Sequence, residues 1–476
     1  MPAALSRVRP AAWMAASAPA VLVPCFWQPR IYAGDLSSHI YNAWLATLVE
    51  KGQVSGLILR PLTTNMLFDV ILETLFKGFG AAWAQRIAVV LVVLIFASGL
   101  FLYLRSVAGR WPWFLIPAIA MLSYGWVFHM GFLNFLLALG LSLAALALAS
   151  KSRPGFVAVG GVLLAIAYLA HSMPVAWAIG LFTYRRIGRA LPPRRRAWLF
   201  GAAVLGLVGL RLALAAKFRT GWSASQFTYL TGADQFWFAD PRTSLCSVLM
   251  LIAWAALLVR LGRAKSPVRW LLGFRAQILL LHVFAIVLLP NQIFLPAPRY
   301  GFTYIAGRLS LLLAVCVCAL AASARPHMPE LALMAAACAW FFGLLYADGA
   351  ALNRLEDRMT AAVQTLPAGS RVVAPLTESR RAPQLLHMID RVCVERCFSY
   401  ANYEPVTSQF RVQLDQAHPG AAAALIAPDY PTTVALQAGQ PRPRAGLPGY
   451  YQIRTCGPDL CAALVPFSPA PLRSPK

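Results

Sequence analysis

Long apolar runs, broken by short basic or proline-containing stretches, fill the first 350 residues of the chain. Windows able to cross roughly 30 Å of hydrocarbon fall at about 11–28, 87–105, 112–128, 132–150, 155–170, 173–184, 197–216, 243–261, 270–290, 303–323 and 329–348. The pattern predicts about eleven membrane crossings. Segment 155–184 is too long for one straight crossing and has basic residues at both ends, Lys151 and Arg153 before it and Arg185 and Arg186 after it. It therefore goes across and returns, turning at AHSMP, which holds His171. The first run, AAWMAASAPAVLVPCFW, follows Arg7 and Arg9 but lacks a clean small-residue cleavage site, and reads as a retained first helix.

Two stretches break this rhythm. Residues 29–86 form a first loop in which AGDLSSHIYNAWLATL offers Ile40, Trp44 and Leu45 to an apolar face, and LTTNMLFDVILETLFKGFG repeats apolar residues at helical spacing around Asp69 and Glu73. Both predict amphipathic helices lying on the outer membrane surface. After residue 350 hydrophobicity falls, and the short runs RVVAPL, AALIAP, YYQIRT and CAALVPF accompany one helix-like stretch, QLLHMIDRV. The chain thus divides into a membrane domain, 1–349, and a small α/β domain, 350–476.

Composition narrows the class. With 59% hydrophobic residues, 12% charged and a mean hydropathy of +0.62, the chain is no soluble globular protein but an all-α polytopic membrane protein with a small C-terminal α/β domain. The net charge of +25 does not point to nucleic acid, because the basic residues crowd into short loops, above all YRRIGRALPPRRRAW and the stretch holding Arg260, Arg263, Lys265 and Arg269. Those loops face the cytoplasm by the positive-inside rule. Eleven alternating spans then leave the N-terminus inside, and put the first loop, His171 and the C-terminal domain outside.

Cysteine placement agrees. Cys25, Cys246, Cys316, Cys318 and Cys338 sit in apolar spans, whereas Cys393, Cys397, Cys456 and Cys461 cluster in the C-terminal domain and suit disulfides in an oxidising compartment. Cys456 and Cys461 flank GPDL, so a hairpin cross-link is the simplest pairing. A zinc site is the rival reading, though C-x3-C with C-x4-C is atypical spacing for one.

Ionisable residues at membrane depth are costly and therefore functional candidates. The polar and ionisable residues on the outer side include Asp35, His39, Asp69, Glu73, His129, Asn134, His171, Arg211, Arg299 and Arg308. Each has a plainer alternative: Asp35 as a helix N-cap, His39 as an interfacial side chain, Asp69 and Glu73 as the wet face of a surface helix, His129, Asn134 and His171 as partners of helix-end backbone groups, and the arginines as snorkelling side chains.

The plan of a short inner N-terminus, one span, a first outer loop of surface helices with an acidic residue near its start, about ten more spans and an outer C-terminal domain resembles the GT-C glycosyltransferases. These are membrane enzymes that use polyprenyl-phosphate-linked sugars. The resemblance is one of architecture over the whole chain and is motif-specific only at Gly34-Asp35-Leu36-Ser37-Ser38-His39. It implies that Asp35 alone is the catalytic carboxylate, and His39, one helical turn on, is read as orienting it or the substrate. No WWDYG-type motif follows, which argues against oligosaccharyl transfer to asparagine. The implied partners are a polyprenyl-phosphate-sugar donor, the bilayer and an unspecified acceptor in a bacterial inner membrane. The chemistry asks for a carboxylate to take the acceptor's proton and for cations, such as Arg211, Arg299 and Arg308, at the lipid-phosphate leaving group. No metal ligand set is predicted, and a divalent ion is left open. Two rivals remain: a flippase for lipid-linked precursors, which would need polar residues along its spans, and a non-catalytic assembly protein, which gives no reason for Asp35 and His39. The observation that separates them is whether Asp35 shares a cavity with Arg299 and Arg308.

Overall fold

The computed structural model describes residues 19–151, 153–238, 240–263, 273–295, 301–376, 382–407, 409–418, 420–440, 447–457 and 459–466. Helices dominate them, with three small sheets, one of which runs β2 (Arg219–Gly221), β3 (Gln292–Phe294) and β4 (Gly301–Phe302). Among the described residues four helices are long and apolar enough to cross a membrane: α2 (Leu67–Ala108), α8 (Pro193–Lys217), α9 (Pro241–Arg263) and α12 (Met328–Gln364). Shorter apolar helices accompany them, among them α5 (Leu133–Ala149), α6 (Pro154–Ala170), α10 (Phe274–Leu288) and α11 (Ile305–Ala321). The expected window 112–128 breaks into a 3-10 turn and the short helices α3 (Ile116–Ser123) and α4 (Trp126–His129). Most of the first expected crossing lies outside the described residues.

Local sequence explains several boundaries. Helix α2 bends at Gly80, whose φ of 71° leaves the helical region, so the stretch with Asp69 and Glu73 precedes the apolar run after the bend. The break at AHSMP falls where expected: α6 ends at Ala170, His171 is extended, and α7 (Ser172–Ala190) begins with the His171 ring accepting from the Met173 amide. Helix α8 has no buried residue. An apolar helix exposed all round suits hydrocarbon rather than water.

The first loop differs from expectation. Helix α1 (Leu36–Glu50) is not a surface helix with one wet face, since every residue from Leu36 to Thr47 is buried. The covering material is α2 on one side and the C-terminal chain on the other. Tyr41 Oη accepts from the Ser399 amide at 3.0 Å, Trp44 stacks on Phe398 at 5.8 Å, and Asn42 accepts from Asn402 at 2.9 Å. The strand β1 (Leu57–Leu59) pairs antiparallel with β7 (Val412–Leu414). Polar positions that read as solvent-facing thus face another part of the protein.

Hydropathy falls at residue 350 inside one continuous helix, α12, which runs from Met328 to Gln364. Beyond it, β5 (Arg371–Val373) lies parallel to both β6 (Phe398–Ser399) and β8 (Tyr450–Cys456), and β8 turns antiparallel into β9 (Asp459–Val465). The short helix α13 (Ala382–Leu386) leads into α14 (Met388–Cys393), which packs beside this sheet and also on α1. The four C-terminal cysteines form two pairs at disulfide distance, Cys393 with Cys397 (Cα–Cα 4.5 Å) and Cys456 with Cys461 (Cα–Cα 5.9 Å). A buried ion pair ties this region to α12: Arg391 donates to both Glu356 oxygens at 2.9 and 2.5 Å, to the Ile31 carbonyl at 2.8 Å and to Gln85 at 2.9 Å.

Candidate active site

Asp35 is set in place by a close backbone crossing. The Gly34 and Asp35 amides donate to the His129 and Met130 carbonyls at 2.8 and 3.3 Å. This lays the start of α1 against the turn between α4 and α5. Only glycine fits at the crossing, because Gly131 has a φ of 83° and a Cβ there would lie 2.1 Å from the Asp35 nitrogen. Asp35 occupies the N-cap position of α1, yet its side chain makes no capping bond. The carboxylate, about a quarter exposed, instead faces His387 Nε2 at 3.7 Å and opens into a cavity of about 660 Å³.

One helical turn along α1, His39 is buried, with its Nδ1 2.6 Å from Asp69 Oδ1 and 3.9 Å from Glu404 Oε1. Asn134 clamps this pair, accepting from the Phe68 amide at 2.8 Å and donating to Asp69 at 3.2 Å. Burial opposes a charge on His39, but the Asp69 carboxylate, helped by Glu404 and Asp35, outweighs it and pushes the imidazole up to about 10. Burial pushes Glu404 up to about 7, although the neighbouring His39 cation and a 2.7 Å bond from Ser38 work the other way. The 2.6 Å approach of Asp69 and the raised imidazole together assign His39 as a cation at the base of the site, with Asp69 as its counter-ion.

His387 comes from the C-terminal chain. Its Nδ1 lies 2.9 Å from Asp390 Oδ2, and Ser399 donates to the other Asp390 oxygen at 2.5 Å. Burial works against its charge, but the bond and charge of Asp390, with Asp35 and Glu404 behind them, leave it raised above the ordinary histidine value.

Arg308, on the first turn of α11, lines the same cavity. It donates to the Thr303 carbonyl at 2.7 Å and lies over the rings of Phe132 (3.9 Å) and Phe302 (4.9 Å), contacts that hold a guanidinium at an apolar wall. Tyr304 also lines the cavity and lies within electrostatic reach of both Asp35 and Arg308. His171 lines it too, its ring turned edge-on to Phe135 and tilted to Phe302.

The other expected site residues go elsewhere. Glu73 is buried among Lys77 and Arg411, and Lys77 reaches on to Glu50 at 2.6 Å, so this carboxylate joins α1, α2 and the C-terminal chain. His129 stacks on Phe238 at 4.3 Å and lines a separate cavity of about 60 Å³. Arg211 is exposed on helix α8 and is not among the residues that line the cavity. Arg299 lies outside the described residues.

Conversely, His387, Glu404, Tyr304, Tyr403 and Tyr430 belong to the site or its base without having been singled out. The one sequence signal was His387 three residues before Asp390 in a helix-like stretch. Among the described residues no group of three His, Cys, Asp or Glu side chains is set to hold a metal ion. No protein-family model matches the chain, and no curated protein or solved structure is significantly similar to it.

Proposed function

We propose that this chain is a membrane glycosyltransferase of the GT-C type, moving a sugar from a polyprenyl-phosphate carrier to an acceptor hydroxyl. The observation that carries the reading is that Asp35 and Arg308 line one cavity of about 660 Å³. Asp35 is the general base: it takes the acceptor's proton as that oxygen attacks the anomeric carbon. The bond from that carbon to the phosphate oxygen breaks, and its electron pair passes to the lipid phosphate, whose growing charge Arg308 neutralises through a planar fork suited to phosphate. His387, held by Asp390, and the buried His39–Asp69 pair are positioning residues that fix the carboxylate's surroundings. Tyr304, Tyr403 and Tyr430 offer hydroxyls and ring faces to a sugar.

In this reading the short apolar helices also cross or enter the bilayer, bringing the crossings to about eleven. The cavity, the first loop and the chain beyond α12 then lie on the outer face of a bacterial inner membrane, where an oxidising compartment suits the two cysteine pairs. The test is direct. The purified protein in lipid vesicles, given radiolabelled polyprenyl-phosphate sugars, transfers label to an added acceptor. Movement of the intact labelled lipid between leaflets without any transfer supports the flippase reading instead.

A further inference from the structure

A second cavity, independent of the Asp35 site, sits at the far end of the same helices. It is lined by Tyr103 on α2, Arg185 and Arg189 on α7, Arg275 and Ile278 on α10, and Leu320 on α11, and holds about 220 Å³. The two cavities share helices but not ends. Along α7, Ser172 lines the first and Arg189 the second, a span of about 26 Å at 1.5 Å per residue. That is close to the ~30 Å thickness of a bilayer's hydrocarbon core.

Among the described residues three arginines line this cavity and no carboxylate does. The sequence offers none nearby: the chain has no Asp or Glu between Glu73 and Asp234, or between Asp240 and Glu330. Those two gaps contain α7, α10, α11 and the part of α2 that reaches the cavity. Glu330, at the start of α12, is already engaged by Arg260. Other arginines at this end are spent on the protein itself, Arg110 on the Ala322 and Ala324 carbonyls and Arg196 on the Leu191 carbonyl. The wall between α7 and α10 is built tightly, since a Cβ on Gly188 would fall 2.3 Å from the Phe274 ring, which stacks on Tyr184 at 5.5 Å. Arg185 lies over the buried Tyr103 ring at 6.0 Å, and Arg275 donates to Ser323 at 2.9 Å.

The geometry points to a binding site for the phosphodiester headgroup of an anionic phospholipid. The arginines meet the phosphate, and the Ile278 and Leu320 side meets the start of the acyl chains. A basic pocket between apolar helices, with no internal counter-ion, is complementary to a lipid that carries charge and hydrocarbon together.

The test titrates the full-length detergent-purified protein with dioleoylphosphatidylglycerol, dioleoylphosphatidylcholine and inorganic phosphate, reading bound lipid by native mass spectrometry. Phosphatidylglycerol should bind saturably and at least tenfold more tightly than phosphatidylcholine, and millimolar phosphate should not displace it. The combined variant Arg185→Gln/Arg189→Gln/Arg275→Gln should lose that preference. Leu320→Trp keeps the three cations but fills the pocket, and should weaken phosphatidylglycerol binding as well, which keeps the test open if the triple variant folds poorly. Equal binding of the two lipids, or wild-type binding by both variants, overturns the site. Full displacement by inorganic phosphate would assign it to a soluble phosphate and overturn the lipid.

Discussion

Replacing Asp69 by Asn probes the electrostatic base of the site. The His39 imidazole, only 6% exposed, is lifted from 6.5 to about 10, with Asp69 the largest favourable contributor. A group raised on folding stabilises fully below its unfolded value, so the contribution is complete below about pH 6.5 and is lost as pH climbs through about 10. At pH 7 the part realised is about 4 kcal/mol, taking 1.36 kcal/mol for each factor of ten. That lies within the roughly 3–5 kcal/mol expected when one partner of a buried pair is removed. With an unfolding entropy of about 2.1 cal/mol/K per residue, it corresponds to a fall in Tm of about 4 °C. Asp69→Asn keeps the shape and removes the charge, so thermal unfolding in detergent at pH 7 should show this drop. The variant's Tm should then vary little from pH 7 to 10, whereas the wild type should converge on it as His39 deprotonates. A variant as stable as the wild type at pH 7, or one that keeps the full wild-type pH slope, would refute the assignment of His39 as a cation held by Asp69.

Arg391→Met leaves Glu356 with Arg30 and Tyr32 as its remaining partners and should destabilise by about 3 kcal/mol, seen as a lower Tm and faster proteolysis beyond α12; unchanged stability would remove the ion pair from the account. Mass spectrometry of peptides generated without reduction should recover Cys393 joined to Cys397 and Cys456 joined to Cys461, and four free thiols would contradict this. Single cysteines introduced at the exposed positions Lys51 and Arg194 should behave oppositely in intact cells, Lys51 labelled by an impermeant reagent and Arg194 protected. The reverse pattern would invert the proposed topology.

What was legible in the sequence was local. Hydrophobic runs placed the long helices, AHSMP placed the helix break at His171, and the acidic start of the first loop drew attention to Asp35, because each signal lies within one or two turns of chain. Arg308 stood out with Arg211 and Arg299 as a cation on the outer side, and of those described the cavity receives Arg308. What escaped was long-range. Glu404 and His387 meet His39 and Asp35 from more than 340 residues away, and a periodicity reading cannot tell that α1 will be covered by the C-terminal chain. For the same reason Glu73 looked like a wet surface carboxylate, when Arg411 closes over it. His129 illustrates the opposite error: its backbone carbonyl supports Gly34 while its ring turns away to Phe238.

The central claim is that Asp35 is the base, and the most direct measurement is the transfer rate of Asp35→Asn from a polyprenyl-phosphate-linked sugar. Since the side chain makes no capping bond, the isosteric change should leave folding and donor binding near wild type while lowering kcat on the order of 10²-fold or more. Arg308→Gln in the same assay should weaken donor binding as well as turnover, because a cation on the phosphate acts before the transition state too. Transfer by Asp35→Asn at nearly the wild-type rate would contradict the account.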